Sequence, residues 1–598
     1  MNVEHGPGVQ GVLDVPGRWA LGSAMVLAWM VAASAGAQSL RGNPVDAVPE
    51  LRQPAVPQPS GSVAPGSQRP GATETAAVLA QRLVPRSFVV EGVTAVPFDE
   101  VVALLEPLAG KETTVAGLAG EVNAITQLYQ QRGFALSYAL LQNQNFNDGI
   151  VKVTVVEGYV AQVVFTGDVG PVQERLDRLA LKLTEERPLR RETLDGVLNL
   201  MRTTPGISIV PRLDWPRRAD GATAMVIEAS REGITATATL SDMGTGNQPL
   251  VGATLNSSTA LGEKISVAAS VPLEHEDVRY VRGAIELPLN DAGLSWEGEG
   301  YHYEARPLEE GALTFQRRIK NQRLATGLRY DAAGPSGHFW QWRAGMQAMD
   351  SNERWQLRDI LPGQLAIDQR TRSRAAYAEM TYSGNGPWRS QHRFTLGLTK
   401  GWKGMGARTD YSFSPLLAAL LGPAATQNMY REVAAQAAEL DYLNIKLNAS
   451  ETLPLAPRTQ LRLGALLQYS SQRLPTTEQV SFGKWRYGMG YEQGAIGGDK
   501  GLGLEAELSH RLQTGWSGLS DVIPYIGVDY AAAWYNGLRG ELIGRQAIAS
   551  AWVGVRVTDQ RRYLLNFNLA RPLRDVNPTV AEDSWRFNAS YSLFYRGW

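Results

Sequence analysis

Few residues in this chain are placed to do covalent chemistry. Cysteine is absent, which excludes thiolate nucleophiles, disulfide staples and cysteine-ligated zinc or iron–sulfur centres. The six histidines, His5, His275, His302, His338, His392 and His510, each stand alone, with no H-E-x-x-H spacing. Each reads as a surface or strand histidine rather than a metal ligand. A hydrolase would need two of them to meet a serine in the fold, and nothing in the spacing supports that. No G-x-x-x-x-G-K-[ST] phosphate loop occurs, and Gly488-Met489-Gly490 lacks the strand–turn–helix setting of a dinucleotide site. The expectation is a protein that is not an enzyme, with no catalytic residue, no cofactor and no metal. One dense constellation remains, Phe482-Gly483-Lys484-Trp485-Arg486-Tyr487-Gly488-Met489-Gly490-Tyr491, with Gly497-Gly498-Asp499-Lys500-Gly501 just beyond it. An arginine and a carboxylate in that arrangement can form an ion-pair latch. The plain alternative is a solvated loop arginine and a strand-end aspartate.

The elements that position this constellation are legible in the rest of the chain. At 598 residues, the length as a prior allows about four domains of roughly 150 residues. Lys+Arg (58) and Asp+Glu (59) balance to a net charge of −1, which argues against a nucleic-acid partner held by bulk positive charge. Hydrophobic residues at 44% and charged residues at 20% exclude wholesale disorder. Ala20–Ala37 is uncharged, with an apolar centre too short to span a bilayer, and ends in Ala35-Gly36-Ala37. It reads as a secretory signal over 1–37. Residues 38–83 hold seven of the 32 prolines between Pro44 and Pro70, and read as an extended linker.

From Ser87 the order is β-α-α-β-β: SFVVEGV, two apolar-periodic helices over Val101–Leu108 and Val115–Tyr129, then SYALLQNQ and IVKVTVVEG. The same order repeats from AQVVFTGD to ATAMVIEAS, ending near residue 231. The first unit carries Tyr129, Gly133, Gln144, Gly149 and the Val156-Glu157-Gly158 end. In order and spacing it resembles the first POTRA domain of the two-partner secretion transporters, the TpsB family of ShlB/FhaC/HecB type. The second unit resembles the second POTRA domain with fewer distinctive residues. The implied boundaries are POTRA 1 at 84–158 and POTRA 2 at 159–232. A three-stranded sheet of this kind leaves edge strands to which an extended client can add.

Beyond residue 233 period-two alternation takes over. In LGLEAELSH, Leu502, Leu504, Ala506 and Leu508 oppose Glu505, Glu507 and Ser509; in YIGVDYAAAW, Ile526, Val528 and Tyr530 oppose Tyr525, Gly527 and Asp529. The polar face is rich in Gly, Asn, Thr and Ser, and Tyr and Trp gather at strand ends. That fits a watery lumen and aromatic girdles better than a soluble sandwich. Sixteen strands are expected, beginning near 235, 250, 263, 277, 293, 323, 339, 373, 390, 439, 460, 501, 521, 546, 562 and 584. The expected fold is two tandem α+β POTRA domains followed by a 16-stranded antiparallel transmembrane β-barrel over 233–598. With the POTRA units periplasmic, the long gaps 306–322, 352–372, 403–438 and 470–500 all fall on the extracellular side, and short turns such as LNDAG on the other. Within 403–438, residues 414–429 read as a short helix in a surface loop.

The connection at about 470–500 is then the sixth extracellular loop. In this family that loop folds into the lumen, and its tip carries V-R-G-(F/Y). Arg486 matches the arginine, within Trp485-Arg486-Tyr487-Gly488, and Asp499 matches the aspartate that meets it. The resemblance implies an Arg486–Asp499 latch, with Trp485, Tyr487 and Gly488 at the tip. The family's amphipathic plug helix has no convincing counterpart in 38–83, where Ala76–Leu83 is the only helical scrap; two readings stay open, a plug from this proline-rich segment or the sixth loop alone in the pore.

The resemblance also implies location and partners. The protein would sit in the bacterial outer membrane, with its POTRA units in the periplasm. Its client would be one large exoprotein, an adhesin, haemagglutinin or haemolysin, bearing an N-terminal two-partner secretion domain. Outer-membrane lipid and lipopolysaccharide would surround it, and the barrel-assembly machinery would insert it; no nucleic acid is expected. The alternatives are an assembly factor of the same superfamily, a passive porin or an outer-membrane enzyme.

Overall fold

The computed structural model describes residues 42–49 and 79–597, apart from 142–143, 147, 219, 244–246, 274–277, 310–314, 334–337, 358–363, 436, 486, 538–541 and 576–583. The signal expected at 1–37 and most of the linker lie outside the described residues.

The first α/β unit has strands Ser87–Glu91, Tyr138–Leu141 and Ile150–Val156, with helices Phe98–Leu105 and Val115–Gln131. The last strand is central, parallel to the first and antiparallel to the second. The longer helix buries Val115, Leu118, Val122, Ile125 and Tyr129, a three-and-four spacing that makes one stripe. The central strand answers with Val151, Val153 and Val155. The linker's last residues belong to this unit: Arg82–Leu83 pair with Thr114–Thr113, and Leu83 is buried in its core. Residues 82–83 are therefore strand, not part of a helical scrap.

The motif residues of this unit hold its turns. Gln144 pairs with the backbone N–H and C=O of Lys152 through its side-chain amide, at 2.7 and 2.8 Å. Gly133 and Gly149 take φ of 88° and 71°, which only glycine adopts at no cost. A Cβ on Gly158 would lie 2.4 Å from Leu136 O. Glu157 accepts from the Thr94 and Ala95 amides at 2.7 and 2.8 Å and from the Tyr129 hydroxyl at 2.7 Å. Burial pushes its carboxyl up, but the Thr94 hydroxyl and these donors outweigh it and hold it below the usual range. Burial and the Glu157 hydrogen bond both push the Tyr129 phenol up. A folded pKa below the unfolded one gives stability that is present above the unfolded value and lost as pH falls through the folded value. E157Q is expected to cost the unit about 1–3 kcal/mol at neutral pH. Limited proteolysis of the full-length protein should show earlier cleavage within 82–158, and the wild type should approach the same pattern only when acidified below the ordinary carboxylate range.

The second unit has strands Tyr159–Thr166, Ile207–Leu213 and Ala222–Arg231 and helices Gln173–Glu185 and Arg191–Thr203. Its sheet has the same order, with the last strand central and parallel to the first. The units are joined through their interiors. Ala135 and Leu136 of the first are buried in the core of the second, and the Arg191 amide donates to Gly133 O at 2.7 Å.

The remaining chain closes into a barrel. Its sixteen strands run Ile234–Asp242, Asn247–Asn256, Lys264–Ser270, Arg279–Pro288, Leu294–Ala305, Phe315–Ala333, Phe339–Leu357, Ala366–Asn385, Gln391–Gly401, Leu443–Ala456, Thr459–Tyr469, Lys500–His510, Leu519–Asn536, Leu542–Thr558, Tyr563–Pro572 and Arg586–Gly597. Leu308–Glu309, Arg408–Phe413 and Leu512–Trp516 prolong the fifth, ninth and twelfth. The sixteenth pairs with the first from Tyr591↔Leu240 to Gly597↔Ile234. The alternating faces segregate in the sense a bilayer demands. Leu324 is 67% exposed and Val281 58% on the outside, while Glu507 and Asp529 are 6% and 7% exposed on the inside. A soluble sandwich would have the reverse. Among the described residues no helix is long and apolar enough to cross a membrane.

The strand starts agree with the expected list except at the sixth and eighth. Residues 315–322, 352–357 and 366–372 are strand, so the expected gaps 306–322 and 352–372 are much shorter. The sixth to eighth strands have 19, 19 and 20 residues, whereas about 9–11 cross a bilayer. Their far ends carry charge on both faces and stand beyond the apolar zone, stitched by pairs such as Arg317–Glu353 and Arg370–Asp350 at 2.6 and 2.7 Å. Without an apolar face they give no hydrophobic alternation to read. The 414–429 helix is longer than expected, Pro415–Ala435, and kinks at Gly422 (φ 74°) before Pro423.

The second unit is clamped to the barrel rim. Arg175 and Arg178 meet the Asp291 carboxylate at 3.1 and 2.9 Å, and Lys182 Nζ donates to Asp291 O at 2.5 Å. All three lie on one face of helix Gln173–Glu185, and Asp291 is in the LNDAG turn after the fourth strand. The Arg175 side chain is only 8% exposed, so losing Asp291 leaves a buried cation unpaired, which is costly. With no native cysteine, spin labels at Leu181→Cys and Trp388→Cys report the spacing cleanly. D291A is expected to turn one narrow distance peak into a broad distribution; an unchanged peak would show the clamp to be dispensable.

Candidate functional site

The loop between the eleventh and twelfth strands folds back inside the barrel. Val480–Phe482 and Ile496–Gly498 form a short antiparallel ribbon. Val480, Phe482, Tyr491 and Ile496 are buried against Leu466, Ala531, Ala533 and Ile548 of the barrel wall. Two glycines make this contact possible. A Cβ on Gly501 would lie 2.5 Å from Val480 Cγ1, and one on Gly503 would lie 2.7 Å from the Tyr487 ring. The inward face of the twelfth strand is thereby flattened, and the loop lies directly on the backbone. Tyr487 then meets Phe482 edge-on, with centroids 6.0 Å apart.

The turn at the tip is tight. Lys484 and Tyr487 take positive φ of 50° and 54°, and the Lys484 amide donates to Gly488 O at 2.6 Å. Asp529, on the inward face of the thirteenth strand, holds that turn. Its Oδ2 accepts from the amides of Gly488 and Met489 at 2.7 and 2.9 Å. Its Oδ1 accepts from Ser550 N and Oγ at 3.0 and 2.6 Å. Asn588 Nδ2 donates to Met489 O at 3.0 Å, and the Tyr491 hydroxyl donates to Ala549 O at 2.9 Å. Lys484 pairs with Asp242 at the end of the first strand.

The sequence-expected residues fall at both ends of this loop. Asp499 is 1% exposed. Its Oδ1 accepts from the Leu474 amide at 2.8 Å and Gln479 Nε2 at 3.1 Å, and its Oδ2 from the Asn536 amide at 2.8 Å. It thus fastens the loop's two stems to the thirteenth strand. Trp485, Tyr487 and Gly488 are at the tip, and Arg486 lies outside the described residues. Asp529 was legible as an inward-facing strand residue; nothing in one sequence linked it to the loop tip.

A second element occupies the same lumen. Pro44–Ala47 forms a 3₁₀ turn capped by Asn43, whose Oδ1 accepts from the Val45 amide at 3.2 Å. Val45 and Val48 pack against the apolar inner patch that holds Met243, Leu250, Val278, Tyr280 and Tyr303. Gln493 Nε2 of the loop donates to Asp46 O at 3.4 Å. Gly42 lies so close to the loop that a Cβ there would be 2.2 Å from Val480 O. Of the two readings left open, a plug from 38–83 and the sixth loop alone, the second is corrected: part of the proline-rich segment lies inside as well. Its composition hid this, because one 3₁₀ turn needs no amphipathic period.

Between these elements and the wall of the fourth to tenth strands is a polar cavity of about 710 Å³. Several of its charges are paired: Glu299 meets Arg282 and Arg323 at 2.6 and 3.0 Å, and Glu297 meets Arg343 at 2.8 Å, while Lys446 and Glu478 also line it. Among the described residues no cluster of His, Asp or Glu is arranged to hold a metal.

Comparison with known proteins agrees with this architecture. Residues 83–158 match the family model for the ShlB-type POTRA domain, and residues 349–557 match that of the haemolysin secretion/activation protein ShlB/FhaC/HecB. The outer membrane transporter CdiB of Escherichia coli is 32% identical over 77 residues, 13% of this chain and 13% of that protein. The solved structure of CdiB from Escherichia coli superposes with a TM-score of 0.62 at 17% identity, covering 96% of this chain and 99% of that one. CdiB from Acinetobacter baumannii gives 0.54 at 14% identity over 98% and 100%. Two segments of this chain thus match models of the haemolysin secretion/activation family, the ShlB-type POTRA domain at 83–158 and ShlB/FhaC/HecB at 349–557, and its closed sixteen-stranded wall shares the fold of the solved CdiB structures.

Proposed function

We propose that this protein exports one large exoprotein, an adhesin, haemagglutinin or haemolysin, from the periplasm to the cell surface. The observation that carries the reading is the lumen itself: a pore-sized barrel closed by two removable inserts, with α/β units clamped at its periplasmic rim. A passive porin needs neither.

In this reading both α/β units are POTRA domains, since the second repeats the element order and sheet topology of the first. Both leave edge strands unpaired, Ser87–Glu91 and Tyr159–Thr166 among them. An extended client can add to such an edge through backbone hydrogen bonds. Docking displaces the 42–49 segment and shifts the loop, and the client threads the charged, polar wall and folds outside. Asp499 and Asp529 latch the loop at rest, one at its stems and the other at its tip. Client folding at the surface supplies the driving free energy.

The test looks for a large exoprotein in the reading frame beside this gene and uses it as the client. Cells making both should release it or display it. Deleting residues 87–231 should abolish export while the barrel still inserts and conducts. Export that survives the deletion overturns the reading, as does a neighbouring exoprotein whose surface level is unchanged when this protein is absent.

A further inference from the structure

We propose that the outer wall of the barrel carries a site for one phospholipid of the periplasmic leaflet, with a zwitterionic head that bears a primary ammonium. Two histidines that stand far apart in sequence meet here. Cross-strand register places Trp340, Tyr382 and Phe394 in one outward row, and Gly384, His392 and Glu451 in the next. All lie near the periplasmic ends of the seventh to tenth strands, the depth of the head groups. His338, just before the seventh strand, completes the group. Its Nδ1 is 2.5 Å from the Tyr382 hydroxyl, and His392 Nε2 is 3.4 Å from the same oxygen. The Trp340 and Tyr382 rings pack with centroids 4.5 Å apart.

The lack of a side chain at Gly384 lets this cluster close over the strand backbone. A Cβ there would sit 2.6 Å from His338 Nδ1, 2.8 Å from the Tyr382 hydroxyl and 3.2 Å from His392 Nε2. Two imidazoles and a phenol are thus drawn into one cluster at head-group depth, whose N–H and O–H groups can donate to a phosphate oxygen. On the far side of His392 its Nδ1 is 3.9 Å from Glu451 Oε2. A carboxylate on a lipid-facing wall is costly unless it lies at head-group depth and finds a cation. A head with phosphate and ammonium a few atoms apart matches both halves of the site. The Phe394 and Tyr382 rings add an attractive face for the ammonium. An anionic head without an amine would meet Glu451 with repulsion.

Phe394 and Glu451 also border an apolar groove of about 450 Å³ on the same outer face. Ala449, Ala465 and Ala506 line it, and Leu463 and Leu504 wall it. An acyl chain fits there, continuing from the head. The site does not depend on what the pore transports.

The test is native mass spectrometry of the full-length protein in detergent, supplied with phosphatidylethanolamine or phosphatidylglycerol of identical chains. Wild type is expected to retain one phosphatidylethanolamine about tenfold more readily than phosphatidylglycerol, the scale of one charge-assisted contact. E451Q should bring the two lipids to parity. A465F, which fills the groove, should lower retention of both while leaving the heat-modifiable mobility of a folded barrel intact. Equal retention of both lipids by wild type, or a preference that survives E451Q, overturns the proposal; so does retention unaffected by A465F.

Discussion

Asp529→Ala is expected to release the loop tip from the barrel wall and to cause the largest functional loss of any single substitution in the lumen. The carboxylate accepts four hydrogen bonds from Gly488, Met489 and Ser550. Each bond to a charged acceptor is worth about 1.5–3 kcal/mol, and its removal strands buried N–H groups. Hydrophobic contacts of Phe482, Tyr487 and Tyr491 remain, so the barrel itself should stay folded and keep its heat-modifiable mobility. Two readouts separate the effect from general damage. Trypsin added outside should cut the loop near Lys484 in the variant and spare it in wild type. Export of the neighbouring exoprotein should fall roughly tenfold or more, the loss expected when about 1.4 kcal/mol or more of resting-state order is removed. An intact, protease-resistant loop in D529A would show that the apolar packing alone holds it. D529N is the sharper comparison: it keeps the shape, loses the charge and places an NH₂ or a weaker acceptor before the same amides.

Excision of residues 42–49 is expected to open the pore. The segment occupies the lumen between the apolar patch at Met243, Leu250 and Tyr303 and the loop at Val480 and Gln493. Val45, Val48, the long Gln493–Asp46 hydrogen bond and the close approach at Gly42 are among the contacts that hold it. Burying a valine contributes about 1.5–3 kcal/mol at most before ordering costs, so the segment is the easier insert to displace. In planar bilayers the deletion should raise single-channel conductance several-fold while leaving the loop protected from protease. Combining it with D529A should raise conductance further, because the two inserts occupy different parts of the lumen. Conductance equal to wild type in the deletion would show that the loop alone seals the pore.

The two inserts were legible to different degrees for a physical reason. The sixth loop is announced by composition: Gly483, Gly488, Gly490 and the aromatics around them are residues that turn tightly and pack densely. Its attachment is not announced, since the partner of the Gly488 and Met489 amides is a carboxylate some 40 positions later on a strand. The 42–49 segment carries no such mark. Proline density argues against burial in general, yet Val45 and Val48 sit against tyrosines because the lumen happens to offer an apolar patch at that height. The overlong sixth to eighth strands were missed for a third reason. Outside the bilayer there is water on both faces, and a strand wetted on both sides has no apolar face to alternate with. His338 and His392 look solitary because register, not proximity in sequence, brings them to Tyr382.

Period-two alternation, turn chemistry and helical stripes are local properties, so the chain alone determines a β-α-α-β-β repeat and a strand-crossed membrane, whereas the inward loop was implied only by the family resemblance. Which side chains meet is decided by closure of the barrel, which sets every cross-strand register at once. That closure places Asp529 beneath the loop tip, flattens the wall at Gly501 and Gly503, and brings Asp291 under three cations of the second α/β unit. None of those pairings is encoded by spacing, because each joins residues that only a closed sheet or a docked domain brings within hydrogen-bond reach.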